Sequence, residues 1–373
     1  MHSLHLYLFV LSTICGLETV KDLRECTGEN NLDLGMIAGI GDSVFAGFGA
    51  REYTSWPFFN PLIFREDRGA TAINGGDADT WSVFKMAQFF LPRLEGKSTG
   101  THFFNLCRGY LCFWPFNVYY ATDGLNVAAT GARAENVITQ AKELVVRVNS
   151  LIRQKPELRK KWKLVISLIG LNDQFNYCEG VKSSLKYFEH YIRDYINYLR
   201  QNMEYVIIDM LSIWDVDKLL DLSTRHPACL NNNRQYFLFQ SCPFDKTNGK
   251  AFRKTMKAYQ MGQNNILKTI TEEYQNGKAW IADEKSTSSW LGTPDTFKLI
   301  YDPSAEEMDM NSIDFKYVSK TDCAHPTKEM NERLASIFWH NLFLKNNEKL
   351  RDQNWMFEKG HLRFTCPTEI QFD

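Results

Sequence analysis

Four short, nearly unbroken apolar runs, at residues 36–40, 164–169, 205–210 and 297–301, constrain this chain more than any other feature. A strand with one wet face alternates apolar and polar side chains, so continuous apolar runs require cover on both faces, the environment of a parallel sheet. The segments between the runs supply that cover. Val137, Ala141, Leu144, Val148 and Leu151 step by three or four residues, as do Leu185, Phe188, Ile192, Ile196 and Leu199, and such steps line one side of a helix. Strands alternating with amphipathic helices predict right-handed βαβ units, hence an α/β protein whose central parallel sheet carries helices on both faces. Any site should lie beyond the strands' C-terminal ends. A last helix is expected over residues 327–344, with Pro326 in its first turn, followed by an irregular tail. No repeat, low-complexity tract or Pro/Gly-rich linker divides the 373 residues, which favours one main domain, at residues 30–345, and a tail at 346–373.

Charge and cysteines bound the setting. A net charge of -1 leaves no basic surplus to neutralise phosphates, which argues against a nucleic-acid partner. Residues 4–14 form a short apolar run followed by Cys15 and Gly16, the pattern of a secretory signal peptide at residues 1–16, and the run is shorter than the roughly 20 residues that cross a bilayer. The basic n-region is missing, with only His2 and His5 there, so an uncleaved anchor is the alternative. Of the nine cysteines eight would remain after cleavage, an even number suited to disulfides in an extracellular compartment. Spacing suggests Cys107 with Cys112, Cys229 with Cys242, and Cys26 with Cys366 as a staple between tail and N-terminal segment. Cys178 and Cys323 are left, either bridged or as buried thiols.

The chemistry gathers at strand ends. The first run leads into Gly41-Asp42-Ser43, which places a serine where a turn can expose it as a nucleophile; the plainer reading is a helix N-cap. It is not the GxSxG elbow, because Phe45 stands two residues after the serine. In Asp322-Cys323-Ala324-His325-Pro326 the three-residue spacing lets Asp322 accept a hydrogen bond from His325, fixing the tautomer of an imidazole that could take and return the serine proton. A surface turn, or half a metal site, would use the same pair, but no HExxH or further histidine cluster supplies other ligands, so neither a metal nor another cofactor is expected. After the second run, Asn172 in Gly170-Leu171-Asn172-Asp173 can point an amide at an oxyanion or simply make a turn. Gly131, in residues 126–132, can bring a bare backbone N–H close to a reaction centre. With the Ser43 amide these would be three donors to a tetrahedral intermediate.

Ser43, Gly131, Asn172 and His325, in this order, resemble the four signature residues of the SGNH, or GDSL, hydrolase superfamily. Gly39-Ile40-Gly41-Asp42-Ser43, Asn74-Gly75-Gly76-Asp77, Gly131-Ala132-Arg133-Ala134-Glu135 and Asp322-Cys323-Ala324-His325-Pro326 bring the resemblance closer to the animal phospholipase B-like branch, over about residues 36–344. The resemblance implies a flavodoxin-like three-layer α/β/α sandwich, no metal, and hydrolysis of phospholipid or lysophospholipid acyl esters through an acyl-serine. Val44 stands where the family usually has leucine, and residues 98–123 look particular to this chain.

The expectation is therefore a secreted ester hydrolase acting on lipids, with an acetyl esterase of sugars or small molecules as the rival and a lipid-binding protein without catalysis as the outsider. Tyr110, Phe113, Trp114, Phe116, Tyr119 and Tyr120 crowd into the particular stretch. Aromatic rings more often fill cores, so burial is the leading expectation for them; a rim touching acyl chains or a membrane surface is the other.

Overall fold

In the computed structural model of the protein the described residues are 17–27, 31–53, 61–175, 184–219, 249–281, 291–358 and 360–372. The expected signal segment and Cys178, Cys229 and Cys242 lie outside them. The four apolar runs form one sheet of strands β1 (Leu34–Gly41), β2 (Trp162–Leu168), β3 (Val206–Leu211) and β4 (Phe297–Asp302), adjacent in that order and all parallel. Register pairs Ile37 with Leu164, Ile208 with Val165, and Leu299 with Ile208. Nearly every side chain of these strands is buried, as unbroken apolar character requires.

The seven helices that matter here are α1 (Ser43–Ala46), α2 (Val83–Phe90), α3 (Val137–Gln154), α4 (Leu171–Phe175), α5 (Leu185–Asn202), α6 (Gly249–Gln275) and α7 (Lys328–Asn341). Each step from β1 to β4 moves one strand in the same direction. Right-handed crossovers then deposit their helices on a single face, where α3, α5 and α6 pack side by side. Helix α2, early in the long connection from β1 to β2, and α7, after β4, pack together as the other layer. The fold is thus a three-layer α/β/α sandwich. On α5 the stripe Phe188, Ile192, Ile196 and Leu199 is buried together with Tyr195, each large apolar side chain contributing about 1.5–3 kcal/mol on full burial.

β1 is not an open edge. Its free side accepts irregular chain, through Ile37 N–H to Glu95 O (3.0 Å), Gly39 N–H to Leu125 O (3.1 Å) and Val127 N–H to Gly39 O (2.9 Å). This pairing carries residues 125–131 alongside the end of the first strand, which is why Gly131 and Ser43 become neighbours. The last helix starts later than its pattern suggests: Thr327 is its N-cap, accepting from Met330 N–H at 3.3 Å, so Pro326 precedes the helix instead of occupying its first turn. The tail contains a helical turn, Asn354–Phe357, and a two-residue strand, Phe364–Thr365, paired with Thr19–Val20. Cys26 and Cys366 are joined beside that pairing, with Cα atoms 5.4 Å apart, and Cys107 is joined to Cys112. Cys323 is also disulfide-bonded. The leading expectation for the aromatic stretch fails for five of its six rings: Tyr110, Phe113, Trp114, Phe116 and Tyr120 are exposed, while Tyr119 is half-buried and packs against the core.

Candidate active site

The turn after β1 is built by its own sequence. Asp42 is extended and its Oδ1 accepts from Val44 N–H at 3.0 Å, so Asp42, not Ser43, is the N-cap and Ser43 is the first helical residue. Gly47 ends the helix at φ +76°, in the left-handed region, where an added Cβ would lie 2.6 Å from Asp67 O. A helix stopped after four residues leaves Ser43 at the rim of the sheet. Gln140, buried on α3, clamps the strand end from below: its amide oxygen accepts from Gly41 N–H at 2.9 Å and its nitrogen donates to Gly41 O at 2.7 Å.

The loop before α7 brings the histidine to this serine. Asp322 Oδ1 accepts from Ala324 N–H and His325 N–H, both at 3.0 Å, folding the chain back so that Oδ2 meets His325 Nδ1. Cys323 takes φ +61° inside this tight turn. The other ring nitrogen, His325 Nε2, lies 2.6 Å from Ser43 Oγ. With Asp322 accepting from Nδ1–H, Nε2 carries the lone pair and Ser43 Oγ–H is the donor. All three side chains are buried, and Phe48 packs against the imidazole with ring centroids 5.0 Å apart.

A family model for GDSL-like lipases and acylhydrolases matches residues 37–338, from β1 into α7. The chain belongs to this family. Within it the chain falls in the animal phospholipase B-like branch. It is similar to human membrane-associated phospholipase B1, 24% identical over 353 residues, which is 90% of this chain and 20% of the relative. It is likewise similar to the rat protein of that name, 24% identical over 343 residues (90% and 21%), and to the mouse protein, 20% identical over 352 residues (91% and 21%). The chain therefore spans about a fifth of the length of the curated relatives it matches.

In this GDSL-family chain Ser43, Gly131, Asn172, Asp322 and His325 all line one cavity of about 300 Å³. Gly131, at φ +82°, follows a segment that Glu66 and Arg68 hold from behind. Glu66 Oε1 accepts from Thr130 Oγ at 2.5 Å and Thr130 N–H at 3.2 Å, while Arg68 donates to Ala128 O at 2.8 Å and Asn126 O at 3.2 Å. The two are paired at 2.6 Å with no side-chain exposure, and Asp123 lies 3.7 Å from the same guanidinium. Asn172 sits at the start of α4 and donates to Ala132 O at 3.0 Å, and Asp173 Oδ2 accepts from Ala134 N–H at 3.0 Å. These two bonds tie α4 to the Gly131 loop. Gln140, Glu66 and Arg68 were not singled out by the sequence; Gln140 alone leaves a trace, as a polar residue on the buried stripe of α3.

Burial works against protonating His325, but the charge and hydrogen bond of Asp322, helped by Asp42, outweigh it and hold the imidazole pKa above its ordinary value. Burial also lifts the Asp42 carboxyl to about 7, opposed by the Val44 N–H bond and by His325. Burial raises Asp173 to about 6, opposed by the Ala134 N–H bond. The cavity walls are mainly apolar, with Phe64, Phe104, Leu106, Phe175, Trp214 and Leu219 among the lining residues. Such a site can polarise a serine hydroxyl beside an apolar chain in surroundings that exclude most water. Among the described residues no group of three or more acidic, histidine or cysteine side chains is placed to hold a metal ion.

Proposed function

We propose that this chain hydrolyses acyl esters of phospholipids or lysophospholipids through an acyl-serine. The observation that carries the reading is the relay of Asp322, His325 and Ser43 at one end of an apolar cavity. Ser43 Oγ attacks the acyl carbonyl carbon while His325 Nε2 takes the hydroxyl proton, and Asp322 steadies the imidazolium formed. The carbonyl oxygen gains the negative charge, with Ser43 N–H, Gly131 N–H and the Asn172 amide as its donors. Collapse expels the alcohol, which leaves with the proton from His325. Water, deprotonated by the same imidazole, then attacks the acyl-serine; the carboxylic acid departs and Ser43 recovers its hydrogen.

The lipid class is supported by the apolar walls and by the printed names of the relatives. An extracellular location is supported by the disulfides Cys26–Cys366 and Cys107–Cys112, with residues 1–16 as a signal peptide and residues 30–345 as the hydrolase domain. No helix among the described residues is long and apolar enough to cross a membrane. The test compares the protein with Ser43→Ala on a short soluble ester and on phosphatidylcholine vesicles. Serine-dependent cleavage of both is expected, with losses in the variant of roughly a millionfold. Cleavage of the short ester alone would assign a sugar or small-molecule esterase, and no serine-dependent turnover would leave a binding protein.

A further inference from the structure

Between Arg108 and Asp123 the chain holds no charged side chain, yet much of this stretch faces water. Tyr110 is 86% exposed and Trp114 77%, and Phe113, Phe116 and Tyr120 are exposed beside them. Surface loops that merely connect are polar, so a run of bare rings calls for a partner that accepts them. The loop is anchored: the Cys107–Cys112 disulfide closes it, and Leu106 N–H donates to Phe116 O at 2.9 Å. Phe113 and Phe116 meet edge to face at 5.7 Å.

The anchor is also a cavity wall. Leu106 and Arg108 line the space beside Ser43, and Cys107 N–H donates to Thr130 O at 3.0 Å, one residue before Gly131. Phe103, exposed as well, lies against Phe104 and Phe64, with ring centroids 4.8 and 6.3 Å apart, and both of those line the cavity. Apolar surface therefore runs from the exposed rings to the site, with Arg108 the one charged side chain of the disulfide-closed loop along it.

We propose that this loop docks the protein on a zwitterionic lipid surface, so that an acyl chain leaving the surface enters the cavity along the loop's own base. The proposal rests on the lipid-ester reading and names the surface from which that substrate comes. Trp and Tyr settle at the boundary between head groups and hydrocarbon, where an amphipathic ring has both of its solvents. The exposed stretch from Gly109 to Thr122 carries no lysine or arginine, and the single Arg108 at its base lines the cavity, so the loop gains little from anionic lipid, in contrast with polybasic membrane anchors. Affinity should accordingly be indifferent to surface charge and to salt.

Docking is measured on the Ser43→Ala protein by co-sedimentation with phosphatidylcholine vesicles, which separates it from turnover. Binding is expected, unchanged by added phosphatidylserine or by salt, and weakened at least roughly tenfold when Phe113→Ser and Trp114→Ser are added. The same two substitutions with Ser43 intact should leave soluble-ester turnover unchanged. Absence of vesicle binding, binding that needs phosphatidylserine, or binding indifferent to the two substitutions would each overturn the proposal, as would a Trp114-dependent dimer in sedimentation. Ring-dependent binding by a protein that cleaves no ester would sustain the docking and overturn the hydrolase reading instead.

Discussion

Replacing Asp42 by asparagine should change how stability depends on pH. The carboxyl is fully buried and its pKa is lifted from 3.8 to about 7, first by burial. A carboxyl that prefers to be protonated in the folded state binds more protons folded than unfolded between those two values, so stability falls as pH rises through that window. With these values the loss between about pH 5 and about pH 8 is roughly 2–3 kcal/mol. Asparagine keeps the shape and can still cap α1 by accepting from Val44 N–H. It does not ionise, so it lacks the slope. Oδ2 has no hydrogen-bond partner among the described residues, and an amide nitrogen placed there would cost about 1–3 kcal/mol. That cost is the same at every pH and cannot imitate a slope. Urea unfolding of the wild-type protein and Asp42→Asn at several pH values gives the difference curve: the variant should gain on the wild type steadily up to about pH 7 and level off above it. Parallel curves would refute the reasoning, because they would mean that the Asp42 carboxyl titrates alike folded and unfolded.

Because the partners of His325 raise its pKa, ester turnover should fall with acidity through a midpoint above the ordinary imidazole value of 6.5, since only the neutral ring accepts the serine proton. Asp322→Asn should lower that midpoint and cut kcat by roughly ten-thousandfold, and a pH–rate profile reads both. Asn172→Ala should reduce kcat by roughly a hundredfold to a thousandfold with a smaller change in KM, as for loss of one oxyanion donor; an unchanged kcat removes Asn172 from that role. Glu66→Ala removes the closer of the two carboxylates at the buried Arg68 guanidinium and leaves two Thr130 donors without their acceptor, and should destabilise the fold by about 3–5 kcal/mol in urea titration, whereas a loss below about 1 kcal/mol would show that Asp123 alone suffices for Arg68.

The sheet was legible because its signal is local: four apolar runs and two clean stripes give β1 to β4, α3 and α5 from nearest neighbours alone. Ser43, Asn172 and His325 stand out for a related reason, as polar residues placed at strand ends or just before a helix. What supports them is not local. Gln140 grips Gly41 from 99 residues away and Glu66 holds Thr130 from 64 away, and no spacing rule reaches so far. The long helix α6 went unseen because Gln260, Gln263 and Asn264 interrupt its buried side; they bond to the backbone of Ile213 and Gly170 instead of packing as apolar groups. The aromatic loop misled for another reason. A preference for burial describes an average ring; here Tyr119 reaches the core and the other five rings face water.

Joining Cys26 to Cys366 gathers the two sides of a 340-residue loop at one corner of the molecule. Tension applied through flanking chain would pass along the sulfur bridge from one side to the other, and the sheet, the serine turn and the histidine loop would lie off the line of force. Mechanically the domain is a bead hung beside a thread and not a link within it. Tugging at its ends could stretch or swing whatever adjoins it without drawing Ser43 and His325 apart, until a reductant cut the bridge and made the fold itself bear the load.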